Sequence, residues 1–181
     1  SRDGTPQTVK EWARNHPALQ LRLVQQANAG PASARNHGAR VAQSDLLLYT
    51  DADCIPQPGW VEAFTMAFSG PNPPAACMGS YLSRQQQPAA RFSQLEFEER
   101  YALMEARGGD IDMVATYSAA YRRPIFLESG GFDERFPKAN NEDAEFSYRL
   151  SLAGHSMRFV RAAQVEHEHD ATWASYFRTK M

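Results

Sequence analysis

Short blocks of apolar residues alternate with polar stretches along the chain, and their spacing predicts helices and strands in turn. The pattern predicts helices over residues 8–15, 32–42, 60–68, 91–107, 124–128 and 142–153. It predicts strands or short extended pieces over residues 21–25, 45–50, 75–79, 112–116, 119–122, 157–160 and 164–168. This alternation predicts an α/β fold, with a mostly parallel sheet and helices on both of its faces.

The clearest strand is the apolar run from Leu46 to Tyr49, which lies next to acidic residues. A continuous run of this length is typical of a strand that is buried on both faces. Residues 71–88 are rich in proline and glutamine, and we expect a loop over a site there. On the predicted helix 91–107 we expect Phe92, Leu95 and Met104 to face inward.

Composition and charge exclude several classes of protein. The 181 residues carry a net charge of −2 with no basic block, which argues against nucleic-acid binding. The longest apolar run falls well short of the roughly 20 residues that span a bilayer. Two cysteines, Cys54 and Cys77, form no disulfide framework. We therefore expect one domain over residues 1–181, in the cytoplasm, with reduced thiols.

An acidic pair, Asp51 and Asp53, directly follows the clearest strand, with Ala52 between them. Ligands of open α/β sheets bind outside the carboxyl ends of the strands. Two carboxylates there can hold a hard divalent cation, which also binds substrate phosphates. The alternative is that the two aspartates bind no metal and only form a turn or a helix cap before Pro56, because D-x-D is a common sequence in proteins.

A second set of candidates begins with Gly130-Gly131-Phe132-Asp133 and continues at Glu142 and Asp143, which open a predicted helix. Either Asn140 or Asn141 would cap this helix. Acidic residues at a helix N-terminus commonly just stabilise its dipole. The same positive end also keeps a carboxylate ionised, as a general base requires.

A third set lies near the end of the chain, where His167 and His169 alternate with acidic residues. In a strand the two imidazoles point to the same face and could bind a metal ion. The alternative is an exposed, histidine-rich sheet edge.

These sets occur in a specific order with two longer motifs. The chain reads GPASARNHG over residues 30–38 and DADCIPQPGW over residues 51–60. This order resembles the inverting glycosyltransferases of family 2, which have the GT-A fold and read G-x-x-x-A-R-N-x-G, an apolar strand, then D-A-D-x-x-P-x-P-x-W. The resemblance covers nearly the whole chain.

The resemblance implies a role for each candidate. Asp53 and His167 would hold Mn²⁺ or Mg²⁺, and Asp51 would contact the ribose or the metal. Asp143 would be the general base, with Glu142 as the second choice. The residues expected to contact the donor are Arg35, Asp51, Ala52, Asp53 and His169, the last through the diphosphate. The loop expected to contact the acceptor or the donor sugar consists of Gly130, Gly131, Phe132 and Asp133.

The family also implies partners: a nucleoside diphosphate sugar, and a glycan, lipid-linked or other hydroxyl acceptor. Residues 1–60 would form the remaining donor-binding half, and residues 61–181 the acceptor and catalytic half. Residues 1–5 resemble the tail of the family's S-x-D-x-T motif, so we expect the first strands to lie before residue 1. Segments outside the chain would provide any attachment to the inner face of the membrane.

Three other functions remain open from the sequence. A metal-dependent phosphohydrolase could use the same Asp and His residues, with water in place of the acceptor. A non-catalytic module of the same fold would bind a sugar or a nucleotide. A nucleotidyltransferase also uses D-x-D sites. Trp60 and Tyr117 could stack on sugar rings, although a core position is the better expectation for Trp60.

Overall fold

Helices and strands alternate along the chain in the computed structural model, which describes residues 3–136 and 141–180. In chain order they are α1 (Thr5–Asn15), α2 (Gly30–Val41), β1 (Leu46–Thr50), β2 (Cys54–Pro56), α3 (Trp60–Phe68), β3 (Ala76–Leu82), α4 (Pro88–Ala106), β4 (Ser118–Arg122), α5 (Arg123–Glu128), α6 (Glu142–Leu152), β5 (Met157–His167) and α7 (Trp173–Lys180). The predicted helices are all present, and the two predicted strands near the end are one continuous strand, β5. The predicted helix cap Asn140 lies outside the described residues.

The five strands form one sheet in the order β1-β4-β3-β5-β2. The sheet is mixed: β3 and β5 are parallel, whereas β1–β4, β3–β4 and β2–β5 are antiparallel. This differs from the predicted, mostly parallel pairing. After α4 the chain reaches the start of β5, where the Ile111 amide donates to the Met157 carbonyl at 3.2 Å. Residues 112–117 then lead the chain back to the opposite end of the sheet, so β4 is antiparallel to β3.

Strands β1, β3 and β5 nevertheless run in the same direction, which sets the position of the candidate residues. Thr50 at the end of β1 pairs with Ser118, and Cys54 pairs with His167 at the end of β5. The loop after β1 and the end of β5 therefore lie at the same end of the sheet. The prediction that ligands meet at the carboxyl ends of strands depends on this arrangement.

The inward face of α4 differs from the prediction. Phe92 is 44% exposed and Leu95 is 63% exposed. The buried face instead carries Tyr101 and three small residues, Ala89, Ala90 and Ser93. Tyr101 stacks on Phe159 of β5 at 5.0 Å between ring centroids, and its hydroxyl accepts a hydrogen bond from the Tyr81 amide at 2.8 Å. The contacts of Tyr101 fix the rotation of α4 at its C-terminal half. The small residues near its N-terminus allow the same face to approach the sheet closely there.

Three other predictions of local structure were wrong. Residues 20–29 are neither helix nor strand, and Leu21 and Val24 are exposed. A strand needs a neighbouring strand to pair its backbone groups, and the described sheet offers none to this segment. Residues 71–88 are not a loop over a site, because β3, a central strand, lies within them. Strand β1 is an edge of the described sheet, so of its residues only Leu47 is buried.

The core consists of residues from both faces of the sheet. On one side Trp60 and Phe64 of α3 are buried, and the Trp60 indole donates to the Ser118 hydroxyl at 2.9 Å. On the other side is an aromatic cluster of Tyr121, Phe126, Phe132 and Phe146. The cysteines Cys54 and Cys77 are buried free thiols. No described helix has both the length and the apolarity needed to cross a membrane.

Candidate active site

Arg35 on α2 joins two of the predicted sets of residues. Its Nη1 lies 2.6 Å from Oε1 of Glu142, and its Nη2 lies 3.0 Å from Oδ1 of Asp51. The Arg35 side chain is 17% exposed and the Glu142 side chain only 3%, so the second ion pair is largely shielded from water. Tyr49 of β1 contacts α2 at the same residue, because its hydroxyl donates to the Arg35 carbonyl at 3.3 Å. The loop after β1 and the start of α6 are therefore adjacent.

Asp143 lies beside this ion pair, in the first turn of α6. The Ala144 amide donates to its Oδ1 at 2.8 Å, and the Thr116 amide donates to its Oδ2 at 3.4 Å. Burial raises the pKa of Asp143 above the usual aspartate value, and the neighbouring charge of Glu142 raises it further. The carboxylate is consequently a stronger base than an exposed aspartate. Asn141, immediately before the helix, has a positive φ of 65°, which asparagine tolerates better than most residues.

Asp53 and His167 face each other across the end of the sheet. The Asp53 Oδ2 and His167 Nε2 atoms are 3.7 Å apart, and the Asp53 side chain is 74% exposed. A carboxylate and an imidazole suit Mn²⁺ or a similar divalent ion, with the open side left for phosphate oxygens or water. Within residues 3–136 and 141–180, no three His, Cys, Asp or Glu side chains are grouped to hold a metal ion. The third predicted ligand, Asp51, is instead engaged by Arg35.

His169 is buried rather than directed into the open site. Its ring stacks on Phe97 at 5.5 Å, and its Nε2 lies 2.9 Å from Oε1 of Gln94. Burial, followed by the nearby charge of His167, lowers the pKa of His169 to about 4, so the ring is neutral at physiological pH. The predicted contact between His169 and a diphosphate does not fit this burial.

The loop Gly130–Asp133 is held against α2 by Asn36. The Asn36 Nδ2 donates to the Phe132 carbonyl at 2.8 Å, and the Phe132 amide donates to the Asn36 Oδ1 at 2.9 Å. A Cβ on Gly131 would lie 2.5 Å from the same Oδ1, and its φ of +68° also disfavours other residues. The sequence motif R-N-x-G contains Asn36, but we did not predict that it holds this loop.

Within that loop, Phe132 and Asp133, two of the predicted acceptor contacts, are each engaged by other parts of the protein. The Phe132 side chain is 1% exposed and belongs to the aromatic core, so its ring cannot contact a sugar. Asp133 accepts hydrogen bonds from the Arg135 backbone and guanidinium, which lower the pKa of Asp133 to about 2. Arg149 donates to the Gly131 carbonyl at 2.6 Å and is held by Glu145. Glu145 thus supports the loop from the face of α6.

The remaining candidates are one exposed residue and two aromatic residues. Ala52 is exposed in the loop after β1. Trp60 is buried, which confirms the expected core position. Tyr117 is also buried: its ring stacks on Tyr81 at 3.7 Å and its hydroxyl lies 3.0 Å from that of Tyr101. Neither aromatic ring is available to stack on a sugar from solvent.

Comparison with known proteins gives consistent matches. A family model described as "Glycosyltransferase like family 2" matches residues 1–181. Validoxylamine A glucosyltransferase of Streptomyces hygroscopicus subsp. jinggangensis is 29% identical over 202 positions, covering 95% of this chain and 48% of the relative. The chain therefore spans about half the length of this curated relative.

Two solved structures share the fold. The mannosyltransferase PcManGT from Pyrobaculum calidifontis, in complex with GDP-Man and Mn²⁺, has a TM-score of 0.75 and 23% identity, over 98% of this chain and 48% of that one. GalNAc-T7 with UDP, GalNAc and Mn²⁺ has a TM-score of 0.69 and 16% identity, over 98% of this chain and 39% of that one. Both likenesses extend over almost all of the present chain.

Proposed function

Because this chain belongs to glycosyltransferase family 2, we propose that it transfers a sugar from a nucleoside diphosphate sugar to an acceptor hydroxyl, with inversion at the anomeric carbon. The family match and the GT-A-like fold agree with the sequence-based prediction. The observation that best supports the proposed reaction is the double ion pair of Arg35. It joins Asp51 of the loop after β1 to Glu142, the neighbour of Asp143 in the sequence, which supports a donor site beside the proposed base.

Asp53 and His167 would hold the divalent ion of the donor complex. Their facing atoms are 3.7 Å apart at the open end of the sheet, and both similar solved structures contain Mn²⁺. When bound, such an ion neutralises the charge that develops on the leaving diphosphate. Asp51 would line the same donor site, with Arg35, which is ion-paired with Asp51 and Glu142, near the nucleotide.

Asp143 is the proposed general base. It accepts the proton of the acceptor hydroxyl as that oxygen bonds to the anomeric carbon, and the bond to the diphosphate breaks with its electron pair leaving on the diphosphate. Its half-buried carboxylate, with a raised pKa, supports this role. Glu142 is the weaker candidate, because its buried carboxylate is already bonded to Arg35. We assign Glu142 to positioning α6.

The backbone of the loop Gly130–Asp133 is the proposed contact for the acceptor or the donor sugar. Asn36 and Arg149 hold it beside α2 and α6, near the base. We propose that residues 1–60 form the remaining donor-binding half and residues 61–181 the acceptor and catalytic half, to which the metal ligand His167 also belongs. A glycan, a lipid-linked sugar or another polyol are the acceptor classes we propose, with action in the cytoplasm, at the inner face of the membrane where a lipid carries the acceptor.

Calorimetric titration of UDP, GDP and dTDP, with and without Mn²⁺, tests the donor site. We expect one nucleotide to bind only with Mn²⁺, and Asp53→Asn to weaken that binding at least tenfold. Asp45→Asn is the matched control, because it makes the same charge change at the opposite, exposed end of β1. If no nucleoside diphosphate binds with or without the metal, the proposed function is wrong.

A further inference from the structure

Gln94 on α4 has only one amide orientation that satisfies its neighbours. Its Nε2 donates to the Tyr81 carbonyl at 3.2 Å and to Oε1 of Glu98 at 2.8 Å. A carbonyl and a carboxylate can only accept hydrogen bonds, so the amide nitrogen must face them. The Gln94 Oε1 therefore faces Nε2 of His169, at 2.9 Å.

This orientation determines which nitrogen of His169 carries the proton. An amide oxygen is only an acceptor, so Nε2 of His169 must carry the hydrogen. In a neutral imidazole the other nitrogen, Nδ1, then has a lone pair. That Nδ1 lies 3.4 Å from Nδ1 of His167, so the hydrogen between the two rings belongs to His167.

We propose that Gln94 is a positioning residue that sets the tautomer of His169 and, through it, the tautomer of His167. With its hydrogen on Nδ1, His167 presents the lone pair of Nε2 towards Asp53. Both facing atoms are then acceptors, which agrees with a separation of 3.7 Å, longer than a hydrogen bond. A cation suits the space between two such atoms. The role of these hydrogen bonds in metal binding rests on the metal site of the proposed function, but the assignment of the two tautomers does not.

Neighbouring contacts hold both rings in the planes that this chain of hydrogen bonds requires. Phe97 stacks on His169 with an interplanar angle of 11°, and the Tyr81 ring lies 4.8 Å from that of His167. The Gln85 side chain bonds the His169 backbone twice: its Oε1 accepts from the amide at 2.6 Å and its Nε2 donates to the carbonyl at 3.1 Å. Outer partners of this kind commonly fix the orientation of metal-binding histidines.

Nitrogen NMR of the histidine rings tests the proposal in the metal-free protein, without any variant. We expect the Nδ1–H tautomer for His167 and the Nε2–H tautomer for His169. An Nε2–H tautomer at His167, donating to Asp53, would overturn the proposal. Because no metal is present, this result does not depend on whether the proposed transfer reaction occurs.

Variants then connect the tautomers to metal binding, with Mn²⁺ alone as the probe. Gln94→Leu removes the acceptor and should mix the tautomers and weaken Mn²⁺ binding about tenfold. Gln85→Ala is the control, because it loosens the His169 backbone without touching either ring nitrogen, and should leave the tautomers unchanged.

The outcomes distinguish failure of the proposed role of Gln94 from failure of the proposed metal site. If Gln94→Leu leaves the tautomers and Mn²⁺ binding as in the wild type, the role of Gln94 is refuted. If the tautomers behave as expected but Asp53→Asn binds Mn²⁺ normally, the metal site of the proposed function fails, and the tautomer assignment stands.

Discussion

The two sides of the candidate site are organised by different kinds of interaction. On the arginine side, Arg35 lies between Asp51 and Glu142 and forms an ion pair with each. On the histidine side, Gln94, His169 and His167 are linked by hydrogen bonds. The first arrangement joins the loop after β1 to the start of α6 through opposite charges. The second, in our proposal, directs the lone pair of His167 Nε2 towards Asp53. The proposed site needs both a metal ion and a general base, and each side would serve one of them.

The largest effect is expected on the arginine side. Arg35→Ala removes the cation that lies 2.6 Å from a carboxylate with 3% exposure. Loss of one partner from a buried ion pair costs about 3–5 kcal/mol of unfolding free energy. Arg40→Ala is the matched control on the same helix, because its pair with Glu134 is largely exposed and should contribute less than about 1 kcal/mol. Urea denaturation measures both, and equal losses would show that the Arg35 pairs contribute no more than a surface pair.

The next effect concerns the loop that Asn36 holds beside the arginine side. Gly131→Ala places a Cβ 2.5 Å from the Asn36 Oδ1 and 3.1 Å from the Phe126 ring, at a positive φ. We expect a loss of roughly 2–3 kcal/mol from strain and displaced packing. Gly130→Ala has a similar φ but no atom within 4 Å of the added Cβ, so only about 1 kcal/mol of backbone strain is expected. Thermal denaturation compares them, and similar melting temperatures would argue against the Asn36 contact.

The smallest effect is a gain of stability at Asp143. Because burial raises the pKa of this carboxyl, the folded protein holds the proton more tightly than the unfolded chain does. The free energy of unfolding therefore falls as pH rises from the ordinary value of 3.8 through the raised pKa. Asp143→Asn should be slightly more stable than the wild type at neutral pH and equal to it below pH 3.8. Denaturation curves across this pH range check the sign, and a less stable variant at neutral pH would contradict it.

Local sequence patterns predicted most helices and the strands that flank the site, because their apolar spacing and end signals lie within each segment. Residues 21–25 have a strand-like pattern, but a strand also depends on a neighbour that the segment itself does not encode. The rotation of α4 was mispredicted because Tyr101, rather than the exposed Phe92 and Leu95, packs on the sheet. The antiparallel course of β4 depends on the path of residues 112–117, which no periodicity reveals.

For the site, the motifs identified Asp53, Asp143 and His167 by their order along the chain, but their roles stay predictions. What the motifs did not reveal are the residues that hold the others in place. Asn36 contacts Phe132 across 96 positions, and Gln94 contacts His169 across 75. A lone amide side chain has no spacing signal, so only the folded arrangement identifies such residues.

The most direct test of the central claim is a transfer assay with Asp143→Asn. The donor should carry the nucleotide that binds in the titration, and release of nucleoside diphosphate and formation of product should be followed with and without acceptors. We predict acceptor-dependent release by the wild type, a loss of about 10²–10⁴-fold in kcat for Asp143→Asn, unchanged nucleotide binding, and normal activity for Asp45→Asn. Wild-type rates in Asp143→Asn, or rapid release of free sugar whether or not an acceptor is present, would contradict the proposed transferase mechanism.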